Sequence, residues 1–93
     1  MNVGILQFEI YIPGSHSLKE KRGVVKSLKD RARQKFNLAI AEVDDHDLLQ
    51  KATLGAVTVG VDAKIVQQTM QKLLGFVREF RESEIGDHQL EIL

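Results

Sequence analysis

The chain has 93 residues, with 13 lysines and arginines against 13 aspartates and glutamates, 43% hydrophobic residues and no cysteine. Zero net charge with this apolar content excludes a disordered chain and a uniformly basic nucleic-acid coat. The absence of cysteine excludes disulfide scaffolds, thiolate metal sites and cysteine nucleophiles. No apolar run approaches the roughly 18 residues of a membrane span, so we expect one cytoplasmic domain over residues 1–93 with no membrane contact.

The first half of the chain predicts a strand, a helix and a second strand. Residues 3–12 alternate in polarity, which is the period of a half-buried strand. One side of that strand carries Gly4, Leu6, Phe8, Ile10 and Ile12. Ser17 and Glu20 match a capping box, which predicts a helix that begins near Ser17 and ends by Asn37. Residues 38–43 predict the second strand, and the polar residues 44–47 after it predict a loop.

The second half predicts a third strand, a second helix and a fourth strand. Residues 53–61 are rich in β-branched side chains and place Val57, Val59 and Val61 on one face. Asp62 suits the N-cap of a helix that runs to about Phe80, and residues 88–93 alternate again. The order β-α-β-β-α-β predicts an α+β ferredoxin-like plait, in which a four-stranded antiparallel sheet carries two helices on one face.

Several short motifs resemble those of one protein family. Residues 13–22, Pro-Gly-Ser-His-Ser-Leu-Lys-Glu-Lys-Arg, carry the most specific of these motifs. Further similar segments lie at residues 25–28, 35–37, 41–44, 54–55 and 91–93. Together they resemble the YlxP-like family of small bacterial proteins of unknown function, apart from Leu49, where such proteins often carry Trp. The resemblance implies a ferredoxin-like fold and a link to RNA metabolism, because genes of the family often lie beside translation and ribosome-maturation genes. It implies no catalytic residue.

Charge is distributed unevenly along the chain. Residues 17–36 hold eight basic and two acidic residues, a formal +6, which leaves five basic and eleven acidic residues, a formal −6, for the rest. Five of these cations share one edge of the predicted helix at 3-4-3-4 spacing: Lys19, Arg22, Lys26, Lys29 and Arg33. Because each cation that meets a phosphate releases counterions, this basic strip predicts contact with RNA or a ribosomal particle. The alternative is a solvated helix face.

A second candidate site lies at the start of the first helix. Ser15, His16, Ser17 and Lys21 surround a helix N-terminus, whose free N–H groups and positive dipole end suit a small anion. The alternative is that Ser17 only caps the helix, His16 is exposed and Lys21 pairs with a carboxylate of the neighbouring hairpin. Residues 44–47 lack the ligand spacing of a metal site, and no phosphate-binding loop or dinucleotide motif occurs, so we expect neither metal nor cofactor.

The sequence predicts a binding module and not an enzyme. A catalytic serine needs a base within hydrogen-bond reach, and the consecutive residues 15–17 are poorly placed to contact one another. Two helices cover one face of the sheet, and Val3, Ile5 and Tyr11 on the other face predict a homodimer. The first prediction is therefore RNA or ribosome binding through the basic strip. The alternative is a structural or regulatory homodimer that binds an anion at the helix start.

Overall fold

The computed structural model describes residues 1–93 and contains four strands and two helices in the predicted order. The elements are β1 (Asn2–Tyr11), α1 (Leu18–Lys35), β2 (Ala39–Asp44), β3 (Lys51–Gly60), α2 (Ala63–Glu79) and β4 (Glu84–Ile92). The strands form one antiparallel sheet in the spatial order β2-β3-β1-β4, which confirms the ferredoxin-like plait. Neither helix is both long and apolar enough to cross a membrane.

Both helices begin at the residues that the sequence indicates. Ser17 Oγ accepts a hydrogen bond from the Glu20 N–H at 3.1 Å, and the Glu20 carboxylate accepts one from the His16 N–H at 2.9 Å. Asp62 accepts a hydrogen bond from the Lys64 N–H at 2.9 Å. These side chains satisfy backbone donors that the first helical turns leave free, so the start of each helix is specified locally.

The core lies between the helices and the even-numbered side of β1. Leu6, Phe8 and Ile10 are fully buried there, in agreement with the predicted alternation. The helix α2 approaches the sheet closely at Gly4, because a Cβ at that position would lie 2.6 Å from Val66 Cγ1. An L side chain at residue 4 would therefore push α2 away from β1.

Strands β1, β2 and β3 match their predicted ranges to within two residues, whereas the start of β4 differs more. β4 begins at Glu84, four residues before His88, because residues 84 and 85 pair with Tyr11 and Ile10 beyond a register shift. Edge strands tolerate charged residues on the solvent side, so the charged stretch before His88 conceals the strand in the sequence. The sequence places Val61 on a strand face with Val57 and Val59, but Val61 lies beyond β3 and is almost fully exposed.

Candidate nucleic-acid interface

The helix α1 lies beside the edge strand β2, and the cations on its flank face the groove between them. Val25, Leu28 and Ala32 are buried and set the rotation of the helix about its axis. A groove of about 350 Å³ results, and four residues of the basic strip line it: Arg22, Lys26, Lys29 and Arg33. The fifth residue, Lys19, lies in the first turn and is not part of the groove wall.

One carboxylate within the groove, that of Asp30, pairs with two of these cations. Its Oδ2 lies 2.6 Å from Lys26 Nζ, and its Oδ1 lies 3.5 Å from Arg33 Nη1. The hydrogen bond from Lys26 lowers the pKa of Asp30, and the charges of Lys26, Arg33 and Lys29 lower it further. The Lys26 side chain is 75% exposed, so solvent screens this pair strongly.

Three cations of the basic strip form no ion pair within the chain. Lys19, Arg22 and Lys29 have no carboxylate within 4 Å, so their charges are uncompensated. Arg33 differs from them, because its Nη2 also donates a hydrogen bond to the Ile40 carbonyl oxygen of β2 at 2.7 Å. Arg33 thus ties α1 to the edge strand, whereas the unpaired cations are free to meet a ligand.

The Lys21 ammonium contacts the hairpin between β2 and β3. Lys21 is 1% exposed, and its Nζ donates a hydrogen bond to the Asp45 carbonyl oxygen at 2.6 Å. The same Nζ lies 3.1 Å from Glu42 Oε2. That oxygen is buried and accepts no hydrogen bond, so its contact with the Lys21 ammonium is an ion pair only. The alternative prediction, in which Lys21 pairs with a hairpin carboxylate, is confirmed.

The other residues of the predicted anion site use their polar groups internally. Ser15 is buried, and its Oγ donates to the Ser17 carbonyl oxygen at 3.1 Å. Ser17 caps α1, and His16 is exposed. The cleft of about 370 Å³ beside Ser15 is lined by three carboxylates and one guanidinium, those of Glu20, Glu82, Glu84 and Arg81. Without the Lys21 ammonium, the charged side chains around this cleft are mainly acidic, and the anion site stays a prediction.

The open face of the sheet carries a charged cluster that the sequence did not predict. Lys51 Nζ lies 3.1 Å from Glu9 Oε2 and 3.6 Å from Asp45 Oδ2, and Thr53 Oγ1 donates to Asp45 Oδ2 at 2.6 Å. The Lys51 hydrogen bond lowers the pKa of Glu9 and raises that of Lys51. The Thr53 hydroxyl lowers the pKa of Asp45, with the Lys51 charge acting in the same direction. Residues 48–52 have no clear periodicity, so only the pairing of Tyr11 with Lys51 in β1 and β3 locates this lysine.

The acidic hairpin does not assemble a metal site. Asp45 has φ of 63° and accepts from Thr53, while Asp44 Oδ1 accepts from the Asp45 N–H at 2.8 Å. No group of three or more His, Asp or Glu side chains is placed to hold a metal ion.

The comparisons with known proteins concern the whole chain. A family model described as "Protein of unknown function (DUF503)" matches residues 3–90. The uncharacterized protein YlxP of Bacillus subtilis (strain 168) is 33% identical over 82 residues, which are 88% of this chain and 89% of that protein.

Two solved structures share the fold. SnoaB, a cofactor-independent oxygenase from Streptomyces nogalater solved as its N63A mutant, has a TM-score of 0.55 at 14% identity. The match covers 97% of this chain and 90% of SnoaB. The de novo designed protein Foldit4 also has a TM-score of 0.55, at 7% identity over 100% of this chain and 97% of its own. At such identities the likeness concerns the fold alone.

Proposed function

Because this chain belongs to the DUF503 family of proteins of unknown function, we propose its function from the groove between α1 and β2. The protein binds the sugar–phosphate backbone of RNA, free or within a ribosomal particle, and acts in the cytoplasm. The observation that carries the proposal is the alignment of four cations, Arg22, Lys26, Lys29 and Arg33, along one groove. Such a row supplies affinity through counterion release and requires no base recognition.

The dimensions and charge of the groove suit a nucleic-acid backbone. Arg22 and Arg33 are eleven residues apart on α1, about 16 Å at the helical rise, which is enough for several phosphates. The groove contains two carboxylates, of which Glu42 is paired with the buried Lys21 and Asp30 is shared by Lys26 and Arg33. Arg22 and Lys29 thus contribute the strongest uncompensated attraction.

The proposed binding does not depend on base stacking. Tyr11 is the one aromatic residue on the open face, and its ring lies beneath Lys51 Nζ at 5.8 Å from the centroid. Its hydroxyl donates to Glu9 at 3.4 Å. Stacking platforms for single-stranded RNA present several free aromatic rings. We therefore expect weak sequence preference and strong dependence on salt.

The proposed role is binding without catalysis. Ser15 Oγ donates to a backbone carbonyl and not to a histidine, and no other serine faces a base within hydrogen-bond distance. Nucleophilic catalysis by a serine needs such a contact. The arrangement supports a surface that positions RNA or assists a ribosomal assembly step.

The test is a salt titration of binding to a labelled RNA hairpin, followed by fluorescence anisotropy. Arg22→Glu with Lys29→Glu should weaken binding by about tenfold or more, and the salt slope should fall by about 0.7–0.9 for each lost phosphate contact. The control is Lys64→Glu with Arg78→Glu, which makes the same charge change on exposed positions of α2. Equal weakening in both pairs would contradict the proposal, because it would reflect net charge alone.

A second measurement addresses the ribosomal form of the partner. The wild-type protein should sediment with ribosomal particles at low salt and separate from them at high salt. The Arg22→Glu, Lys29→Glu pair should remain in the supernatant at both salt concentrations. Sedimentation of that pair together with the particles would contradict a contact through the groove.

We propose, as a second candidate, that the protein is a structural homodimer paired through its open sheet face. The observation that favours it is an apolar patch on three neighbouring strands without a charged member. The patch consists of Val3, Ile5, Ala39, Ala41, Val43, Val57 and Val59. Val43, Val57 and Val59 are 50%, 41% and 55% exposed, and Ile5 pairs with Val57, which pairs with Ala39. An uncharged patch is complementary to itself across a two-fold axis.

The open face approaches the size of a standard interface. Four strands about 4.8 Å apart and about nine residues long give a projected area of about 570 Å², and the pleated surface presents more than its projection. Standard interfaces bury about 800 Å² on each partner. Both helices lie on the opposite face of the sheet, so a dimer of this kind leaves the groove of each copy accessible.

Sedimentation velocity over a range of protein concentrations tests the dimer. The wild-type chain should dimerise at micromolar concentration, and Val57→Lys should be monomeric because it places a charge in the centre of the patch. The control is Ile65→Lys, since Ile65 is 56% exposed on α2 outside the patch. A monomeric wild-type chain throughout, or equal loss in both variants, would contradict the dimer.

A further inference from the structure

We infer that Lys21 is a positioning residue for the groove, and this inference rests on the proposed RNA binding. Its buried ammonium holds the Glu42 carboxylate against the hairpin and keeps it away from the phosphate-binding cations. Glu42 lines the same groove as Arg22, Lys26, Lys29 and Arg33. A free carboxylate at that point would pair with one of these cations or repel the incoming phosphate.

Three contacts fix the position of the Lys21 ammonium and its partners. The ammonium donates to the Asp45 carbonyl oxygen at 2.6 Å and lies 3.1 Å from Glu42 Oε2. Asp45 itself has φ of 63° and is held by the Thr53 hydroxyl. A register shift between Glu42 and Asp44 precedes this turn. The hairpin backbone thus presents a carbonyl group that directs the lysine toward Glu42 and away from solvent.

Packing alone does not account for a lysine at residue 21. The position belongs to the buried side of α1, together with Val25 and Leu28, where an apolar side chain of similar length would fill the space. Removing a charge from water is costly, and apolar replacements of buried ion pairs are often as stable as the pair. The charge of Lys21 therefore has a consequence beyond packing, which is to neutralise Glu42.

The two carboxylates of the groove differ in how firmly they are held. The Asp30 side chain is 42% exposed, so an arriving phosphate can displace it from Lys26 at small cost. The Lys21 and Glu42 side chains are 2% and 15% exposed, so salt and solvent screen their attraction much less. Glu42 remains bound to Lys21 while the exposed cations exchange partners.

A double-mutant cycle with the labelled RNA hairpin tests this role. Lys21→Met should weaken binding on the order of tenfold and lower the salt slope by about one phosphate contact, roughly 0.7–0.9, because the freed Glu42 carboxylate pairs with a groove cation. Glu42→Gln in the wild-type background should change affinity less than about twofold, since that carboxylate is already neutralised. The double variant, Lys21→Met with Glu42→Gln, should bind within about twofold of the wild-type protein.

The double-mutant cycle distinguishes a positioning role of Lys21 from a general effect of net charge on binding. A pure charge effect would make Glu42→Gln strengthen binding as much as Lys21→Met weakens it, and that result would overturn the inference. Lys64→Met on α2 is the charge-matched control and should bind as the wild-type chain does. Thermal melting of each variant establishes folding, and Lys21→Gln makes the same test if Lys21→Met does not fold.

The outcomes distinguish this role from the function on which it rests. Failure of the wild-type chain to bind RNA would reject both the proposed function and the role of Lys21. Wild-type binding with unchanged affinity in Lys21→Met would reject only the role of Lys21. A double variant that stays as weak as Lys21→Met would also reject it, because the loss would then not come from Glu42.

Discussion

The two helices cover the same face of the sheet and have nearly the same length, yet they use their surfaces differently. α2 buries five apolar side chains, those of Val66, Met70, Leu73, Leu74 and Val77. α1 buries three apolar side chains and Lys21, and it carries eight of the 13 basic residues of the chain. α2 is therefore specified mainly by packing. In α1 a narrow apolar stripe is sufficient for attachment, which leaves the flank beside β2 available for charge.

The largest effect should come from the packed helix. Leu73→Ala removes a fully buried side chain of α2 and should lower the free energy of unfolding by about 2–5 kcal/mol. Lys29→Ala on the flank of α1 should change that free energy by less than about 0.5 kcal/mol. Urea unfolding measures both. If Lys29→Ala lowered the free energy of unfolding as much as Leu73→Ala, the proposed difference between the two helices would be contradicted.

The close contact of α2 with β1 should produce the next effect. Gly4→Ala should lower the free energy of unfolding by about 1–3 kcal/mol, because the new Cβ collides with Val66. A Cβ added at Gly23 in α1 or at Gly75 in α2 would meet no atom within 4 Å beyond its chain neighbours and the nearby backbone of its own helix. Gly→Ala at either of these positions should stabilise the protein by about 0.5–1 kcal/mol. A neutral Gly4→Ala would show that α2 is not held close to the sheet.

The two helix caps should contribute similar, smaller amounts. Ser17→Ala at the start of α1 and Asp62→Ala at the start of α2 each remove one side-chain acceptor. Each should cost about 1 kcal/mol of unfolding free energy, measured by thermal melting and urea unfolding. A much larger loss at Ser17 would indicate that α1, with fewer buried apolar side chains, depends more on its cap than on packing.

The smallest effect concerns the exposed ion pairs of Asp30. Because Lys26 and Arg33 lower the pKa of Asp30, its contribution to stability is present above the ordinary pKa and is lost as the pH falls through the lowered one. The Tm difference between the wild-type protein and Asp30→Asn should be small at about pH 7 and should disappear well below about pH 4. A difference that grows on acidification would contradict this sign. The same variant should bind RNA slightly more tightly, since it frees Lys26.

Much of the fold could be predicted because its signals are local. The alternation in β1, the capping box at Ser17 and the acceptor at Asp62 each involve residues within a few positions of one another. The start of β4 could not be found in this way, since Glu84 joins the sheet through its pairing with Tyr11. Edge strands show weak periodicity, so tertiary pairing determines where they begin.

In the candidate site, too, some features follow from the local sequence and others from the tertiary structure. The spacing of Arg22, Lys26, Lys29 and Arg33 on one helix edge is a property of the sequence, because about 3.6 residues complete each helical turn. The rotation of α1 that buries its apolar stripe decides which cations line the groove against β2. It places these four side chains along the groove and leaves Lys19 outside it.

Taken by itself, the sequence determined the order of the elements, both helix starts and the concentration of positive charge in residues 17–36. Only the tertiary structure decided which carboxylate meets which cation. Lys21 pairs with Glu42, and Lys51 with Glu9, across 21 and 42 positions of the chain. Ion pairs depend on distances of a few ångströms, and residues so far apart in sequence approach each other only when the sheet register and the helix packing are complete.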